Sequence, residues 1–182
     1  MPNSEGPFGP IRQLGYVVED LDAAMAAWTT QLGVGPWTAI KNITLDATYD
    51  GAPTQVTMHI ALSYRDEMQI ELIEQTNDAP SPYLPLIRGR RFGLHHVAHM
   101  SQDMDADLAR AKRRGLHPIF DIRMPAGGHY VYLQAEALGA HVFVELLEAT
   151  ETLVGMFEAG IVAAQVWDGT THTVNVIDFA AR

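Results

Sequence analysis

The sequence predicts an α+β fold made of two tandem βαβββ modules followed by a helical tail. Three observations carry that prediction. The stretch Ile70-Glu71-Leu72-Ile73-Glu74-Gln75-Thr76 recurs as Val144-Glu145-Leu146-Leu147-Glu148-Ala149-Thr150. Upstream, Gln13–Ala23 resembles His96–Ala106, each a strand that runs into Asp-x-Asp-Ala. Between these matched ends each copy carries a helical stretch and two weaker strands. Gln13 to Glu71 spans 58 positions and His96 to Glu145 spans 49, so the first copy is longer by nine, about one hairpin loop. Two copies are too few for a solenoid and imply a pseudo-twofold domain with something at its seam.

Residues 1–10 hold three prolines and little apolar surface and read as a lead-in. Gln13–Val18 is a strand. Asp20 follows as an N-cap, its carboxylate placed to accept from a free first-turn N–H. Leu21, Met25 and Trp28 recur at helical spacing, Leu32 continues that face, and Gly33 stops the helix. Gly33–Trp37 is a turn. Strands are expected at Ile40–Thr48 and Gln55–Leu62 around the turn Tyr49–Pro53, and at Met68–Ile73 after Arg65-Asp66-Glu67. A proline-rich linker over 77–92, with Arg88, Arg90 and Arg91 near its end, separates module one (11–76) from module two (93–150).

Module two repeats the plan, with a strand at His96–Ser101, a cap at Asp103, and a helix ended by Gly115. Strands follow at Ile119–Ile122, Tyr130–Leu133 and Val142–Leu147. In the extension 151–182, Leu153, Met156, Phe157, Gly160, Ile161 and Ala164 form one face of an amphipathic helix. That face must be buried across the module seam or against a second subunit. Thr171–Phe179 reads as a further strand.

Composition bounds the function. A chain of 182 residues with 47% apolar and 19% charged residues is one globular domain or two small modules sharing a core. It has no apolar run near the ~18 residues of a membrane span. Met1–Pro7 has neither a basic n-region nor an apolar h-region, so a cytoplasmic protein is expected. The absence of cysteine leaves any metal to His, Asp, Glu or amide oxygen. A net charge of −10 disfavours nucleic acid, whose phosphates require clustered Lys and Arg.

Strand parity then isolates four residues. Alternate side chains of a strand point to opposite faces. If helices cover Leu14, Tyr16, Ile70, Leu72, Val97, Val144 and Leu146, then Gln13, Glu71, His96 and Glu145 all project onto the other, concave face. A carboxylate in an apolar strand is costly unless it is paired, hydrogen-bonded or bound to a metal. One such glutamate alone would ordinarily sit on a solvated sheet face, His96 alone would be a core histidine, and Gln13 a solvent-facing residue. Their equivalence under the repeat makes four independent accidents a poor explanation.

At Gln13–Ala23, Gly93-Leu94-His95-His96-Val97-Ala98 and Val144-Glu145-Leu146 the chain resembles the vicinal oxygen chelate superfamily. That superfamily includes glyoxalase I, methylmalonyl-CoA epimerase, fosfomycin and bleomycin resistance proteins, and extradiol dioxygenases. The resemblance covers about residues 11–150. It implies a cupped mixed sheet holding one divalent metal, with ligands from the first and last strands of each module, here Gln13, Glu71, His96 and Glu145. Epimerases and many bacterial glyoxalases carry His where this chain has Gln13. The Gln/Glu/His/Glu set resembles that of animal-type glyoxalase I, whose arginine for glutathione is replaced here by Val17.

Three oxygen donors and one imidazole suit an octahedral site with two open positions, for which Zn, Co, Ni, Mn and Mg are all admissible. The reaction implied is isomerisation, epimerisation or a lyase step on a small carbonyl compound through a metal-stabilised enolate. Glu145 is the first candidate for the base, ionised beside the cation, and Glu71 the second. A homodimer is expected. A protein that only sequesters a small molecule, as drug-binding members do, is the alternative, but such members commonly lack the ligands. A ring-cleaving dioxygenase normally uses two His and one carboxylate, which Gln13 and Glu71 fit poorly. His59, His129 and His141 lie on predicted strands, with His141 on the Glu145 face; His95 and His99 are expected on the side opposite His96. Trp28 and Trp37 read as core, and Met58, Met100 and Phe143 as pocket-lining or packing residues. Arg88, Arg90 and Arg91 could grip the phosphates of a CoA ester or simply be solvated.

Overall fold

The computed structural model describes residues 6–124, 127–134, 137 and 142–180. The first half runs β1 (Ile11–Val17), α1 (Leu21–Leu32), β2 (Trp37–Tyr49), β3 (Ala52–Arg65) and β4 (Met68–Gln75). A short helix α2 (Leu84–Arg88) follows, then β5 (Gly93–Ser101), α3 (Met104–Arg113), β6 (His117–Arg123), β7 (His129–Gln134) and β8 (Phe143–Glu148). The extension forms α4 (Glu151–Val166) and β9 (Val174–Asp178).

The repeated Asp-x-Asp-Ala does the same work twice. Asp20 accepts a hydrogen bond from the Ala23 N–H at 2.8 Å and Asp103 from the Ala106 N–H at 3.0 Å, satisfying first-turn donors. Gly33 ends α1 in the left-handed region, at φ 61°, where its N–H donates to the Thr29 carbonyl and that of Val34 to the Trp28 carbonyl. Leu32 does not continue the buried face of α1. It is exposed, because the helix closes one turn after Thr29, its last buried residue.

All nine strands form one mixed sheet in the order β3-β4-β1-β5-β8-β7-β6-β2-β9, with β2 also paired back onto β3. The sheet therefore curls into a barrel-like cup. The two halves meet at an antiparallel β1·β5 seam and again where Ala47–Tyr49 pair with Phe120–Ile122. The repeat is visible in the ladder register. In the parallel pairs, Gln13 and Gly15 face Gln69 and Glu71, while His96 and Ala98 face Phe143 and Glu145. The extra length of the first copy lies in its strands rather than in a loop. β2 and β3 have 13 and 14 residues against 7 and 6 in β6 and β7, and two residues, Asp50 and Gly51, join them. That length lets β2 reach β6 at one end and carry β9, in parallel, at the other.

α1 covers the outer face of the first half through Leu21 and Met25 against Ile70 and Leu72; Trp37 is buried there, and Trp28 packs half-buried on Tyr16. Met104, Ala111, Val131 and Leu146 make the matching outer core. α4 lies across one end of the cup. Its Leu153 and Phe157 are buried against Tyr64, Ala98 and Leu147, residues from both halves, so the tail packs across the seam. Gly160 is required for this approach, since a Cβ there would overlap the Tyr64 ring. No helix among the described residues is long and apolar enough to cross a membrane.

Candidate metal centre

Gln13 on β1, Glu71 on β4, His96 on β5 and Glu145 on β8 come together inside the cup. Their meeting point is one atom, Nε2 of His96. Gln13 Oε1, Glu71 Oε2 and Glu145 Oε2 each lie 3.2 Å from it. His96, Gln13 and Glu145 are buried, and the Glu71 side chain is 13% exposed. A single imidazole nitrogen has one proton or one lone pair and cannot satisfy three oxygens. Glu145 Oε2 is left buried without a hydrogen-bond partner.

These separations fit a divalent ion. With metal–donor bonds of about 2.1–2.3 Å, neighbouring octahedral donors stand about 3.0–3.2 Å apart and opposite ones about 4.2–4.6 Å. The candidate donor atoms of Glu71, His96 and Glu145 all lie within 4.8 Å of one another. A cation among them would satisfy the unpartnered oxygen and offset two carboxylates held close together out of water.

The protein's own charges show what such a site does to its members. Burial pushes the Glu145 carboxyl up to about 8; His96 opposes the rise, Glu71 adds to it, and the Tyr132 hydroxyl bonded to the carboxyl draws it back. Burial lowers His96, but the Glu145 and Glu71 carboxylates outweigh it and leave the imidazole raised. The expectation of an ionised Glu145 thus requires the cation beside it.

Gln13, Glu145 and His96 are held from behind. Gln13 Nε2 donates to Gln69 Oε1 at 2.6 Å, and Gln69 Nε2 donates to the Tyr64 hydroxyl at 2.5 Å, which in turn reaches the Met156 carbonyl of α4 at 3.4 Å. This chain turns the oxygen of Gln13, rather than its nitrogen, toward His96. Tyr132 sits opposite Glu145 in the ladder, and its hydroxyl accepts from that of Tyr83 at 2.9 Å. At the equivalent position Glu71 faces Leu62, so the two glutamates differ in their cross-strand neighbour. Nδ1 of His96 lies 3.0 Å from Nδ1 of His95, which fixes the ring and leaves Nε2 toward the oxygens. Gly15, between Glu71 and His96 in the sheet, makes room for the imidazole, which a Cβ there would overlap.

His95 overturns a parity expectation. It does not face away from His96. The β1·β5 register jumps from Gly15↔His96 to Tyr16↔Leu94, a bulge at His95 that lets adjacent side chains share a side. His95 is fully buried among Tyr83, Tyr132 and Phe143 rings, and burial lowers its pKa well below the usual imidazole value, with His96 adding to the effect. His99 does lie outside, near the Gly9 and Pro10 carbonyls. His59 accepts from the Asn42 N–H and His129 pairs with Asp121, both away from the centre. His141 lies outside the described residues. Met58 lines the interior, Phe143 packs in it, and Met100 packs under α4. Arg90 pairs with Glu19 at 2.7 Å, and none of Arg88, Arg90 and Arg91 lines the cavity at the centre.

Tyr83, Tyr132, Gln69 and Gly15 were not singled out from sequence. A glycine inside an apolar strand was a usable signal of close approach at Gly15. Tyr83 had none, because it lies in a linker where no periodicity applies.

Several solved structures share this architecture. Methylmalonyl-CoA epimerase from Mycobacterium tuberculosis is 19% identical with a TM-score of 0.58, over 85% of this chain and 97% of that one. The hypothetical protein BH1468 from Bacillus halodurans is 20% identical with a TM-score of 0.57, over 78% and 95%. A Streptomyces coelicolor methylmalonyl-CoA epimerase variant, complexed with 2-nitronate-propionyl-CoA, is 20% identical with a TM-score of 0.52, over 78% and 95%. At these identities the likeness is one of fold. No curated protein matches the chain in sequence. The profile of the Glyoxalase/Bleomycin resistance protein/Dioxygenase superfamily matches residues 12–133, about two thirds of the sequence, and the chain belongs to that superfamily.

Proposed function

We propose that the protein is a divalent-metal-dependent isomerase, epimerase or lyase acting on a small carbonyl compound by removing a proton next to the carbonyl. The observation that carries this reading is the convergence of three side-chain oxygens on His96 Nε2, with Glu145 Oε2 unpartnered, at the floor of an apolar cavity. Gln13, Glu71, His96 and Glu145 are the proposed ligands. A divalent ion held by them would polarise a substrate carbonyl and stabilise negative charge on its oxygen.

The chain's residues do the rest. Glu145 receives the proton, its carboxylate lying in the cavity wall beside the Tyr132 hydroxyl that accepts from Tyr83. Glu71 also lines the cavity, with Leu62 opposite it in the ladder, and serves as the second carboxylate, able to return a proton from another direction. Tyr132 steadies Glu145 in either protonation state, because its hydroxyl donates to a carboxylate or accepts from a carboxylic acid. The apolar walls exclude water that would compete for the proton.

Metal content of the purified protein is the first measurement, followed by proton exchange of carbonyl compounds in deuterated water monitored by NMR. Glu145→Gln keeps an oxygen donor and removes the base. It is expected to bind metal more weakly and to slow exchange by about 10²–10⁴-fold. Exchange by the wild type without metal, or undiminished exchange in the variant, would refute the assignment. Tight ligand binding with no exchange in any compound would instead indicate a sequestering protein.

A further inference from the structure

We infer that the substrate is an uncharged carbonyl compound with an apolar tail, and not a CoA, glutathione or other anionic conjugate. The inference rests on the metal-assisted reading above and adds the chemical class. The cavity over the candidate metal centre has a volume of about 280 Å³. That is just below the roughly 300–1,000 Å³ usual for small-molecule sites, room for a compound of about ten to fifteen non-hydrogen atoms. Its walls are aliphatic: Ile43 of β2, Met58 and Ile60 of β3, Ile122 of β6, Leu147 of β8 and Met156 of α4 are representative.

The carboxylates and amides of Glu71, Glu145, Gln13 and Gln69 stand at the metal-ligand end, and Tyr83, Tyr130 and Tyr132 and Thr152 of α4 supply the rest of the polar groups. Among the described residues no lysine or arginine lines the cavity. A phosphate or carboxylate in the tail of the substrate would therefore lose its water with no cation to receive it, a penalty of several kcal/mol in such a setting. The neutral tail of a 1,3-diketone or a hydroxyketone meets no such obstacle. The oxygens of such a compound face the polar end, and each methylene of its tail leaves water for the aliphatic walls.

A homologous series of 1,3-diketones tests this by calorimetry, using the full-length protein loaded with zinc and freed of excess metal, and in parallel after chelator treatment. The probes are 2,4-pentanedione, 2,4-hexanedione, 2,4-heptanedione and the anionic analogue 4,6-dioxoheptanoate. Affinity is expected to rise by up to about fourfold per added methylene. The terminal carboxylate of 4,6-dioxoheptanoate is expected to weaken binding at least a hundredfold relative to 2,4-heptanedione. A flat series, equal or tighter binding of the carboxylate or of methylmalonyl-CoA, or no binding by any diketone overturns the inference. A tail dependence that persists unchanged in the chelator-treated protein keeps the substrate class and refutes the metal reading. Zinc-dependent binding that ignores the tail does the reverse.

Discussion

The cost of holding Glu145 in the floor of the cup is measurable as a pH dependence of stability. Its carboxyl is pushed from an ordinary 4.5 to about 8, chiefly by burial. In the unfolded chain the same group loses its proton near its ordinary value. Stability is therefore fully present below about pH 4.5 and is lost as pH rises toward 8. His96, also raised, changes in the same direction. At about 1.4 kcal/mol per pH unit, the full effect is on the order of 5 kcal/mol, or roughly 10–20 °C in melting temperature for a chain of this size. The assay is thermal melting by circular dichroism of chelator-treated protein between pH 5 and 9, for wild type and Glu145→Gln. The wild type is expected to lose stability relative to the variant across this range, with the curves parting most steeply between pH 5 and 8. The buried, neutral His95 is present in both proteins and drops out of the comparison to first order. Adding a divalent ion at about a hundred times its dissociation constant should return about 2.7 kcal/mol to the wild type. Parallel melting curves for the two proteins would refute the argument from burial.

Other perturbations probe the supports of the site. Gly15→Ala places a methyl group where the His96 ring lies, and is expected to cost about 1–3 kcal/mol and most of the metal affinity; a normal zinc titration would show that the ring has room to move. Gln69→Leu leaves the Gln13 amide free to turn its nitrogen inward and should weaken metal binding by about 10–100-fold, read by competition with a chromophoric chelator. An unchanged affinity would mean that Gln13 is held by other contacts. Phe157→Ala removes a buried ring in edge contact with Tyr64, at 5.5 Å between centroids, and is expected to cost about 3–5 kcal/mol in a urea titration. A loss below 1 kcal/mol would show that α4 is not needed to close the cup.

Much of this was legible in the sequence because it depends on local rules. Asp20 and Asp103 cap helices through bonds to residues three positions on, and a two-residue period set Glu71 and Glu145 on the inner face. Gln13 and His96 followed from the same period once the copies were aligned. Parity failed at His95 because a bulge adds one residue to a strand, and nothing in the dipeptide His95-His96 announces it. The length of β2 was hidden for another reason: its two ends are held by β6 and β9, partners far away in the chain. Gln69 was on the expected face, but its role comes from Tyr64 across the ladder, a pairing that only the register reveals.

The cup is joined along two seams, β1·β5 and β2·β6, and both lie within one chain. The four residues that meet at His96 Nε2 are split evenly between the halves that these seams unite. An exchange of halves between two molecules would have to open both ladders at once. Cation affinity should accordingly be the same at nanomolar and millimolar protein, and each polypeptide should titrate with one full equivalent of metal.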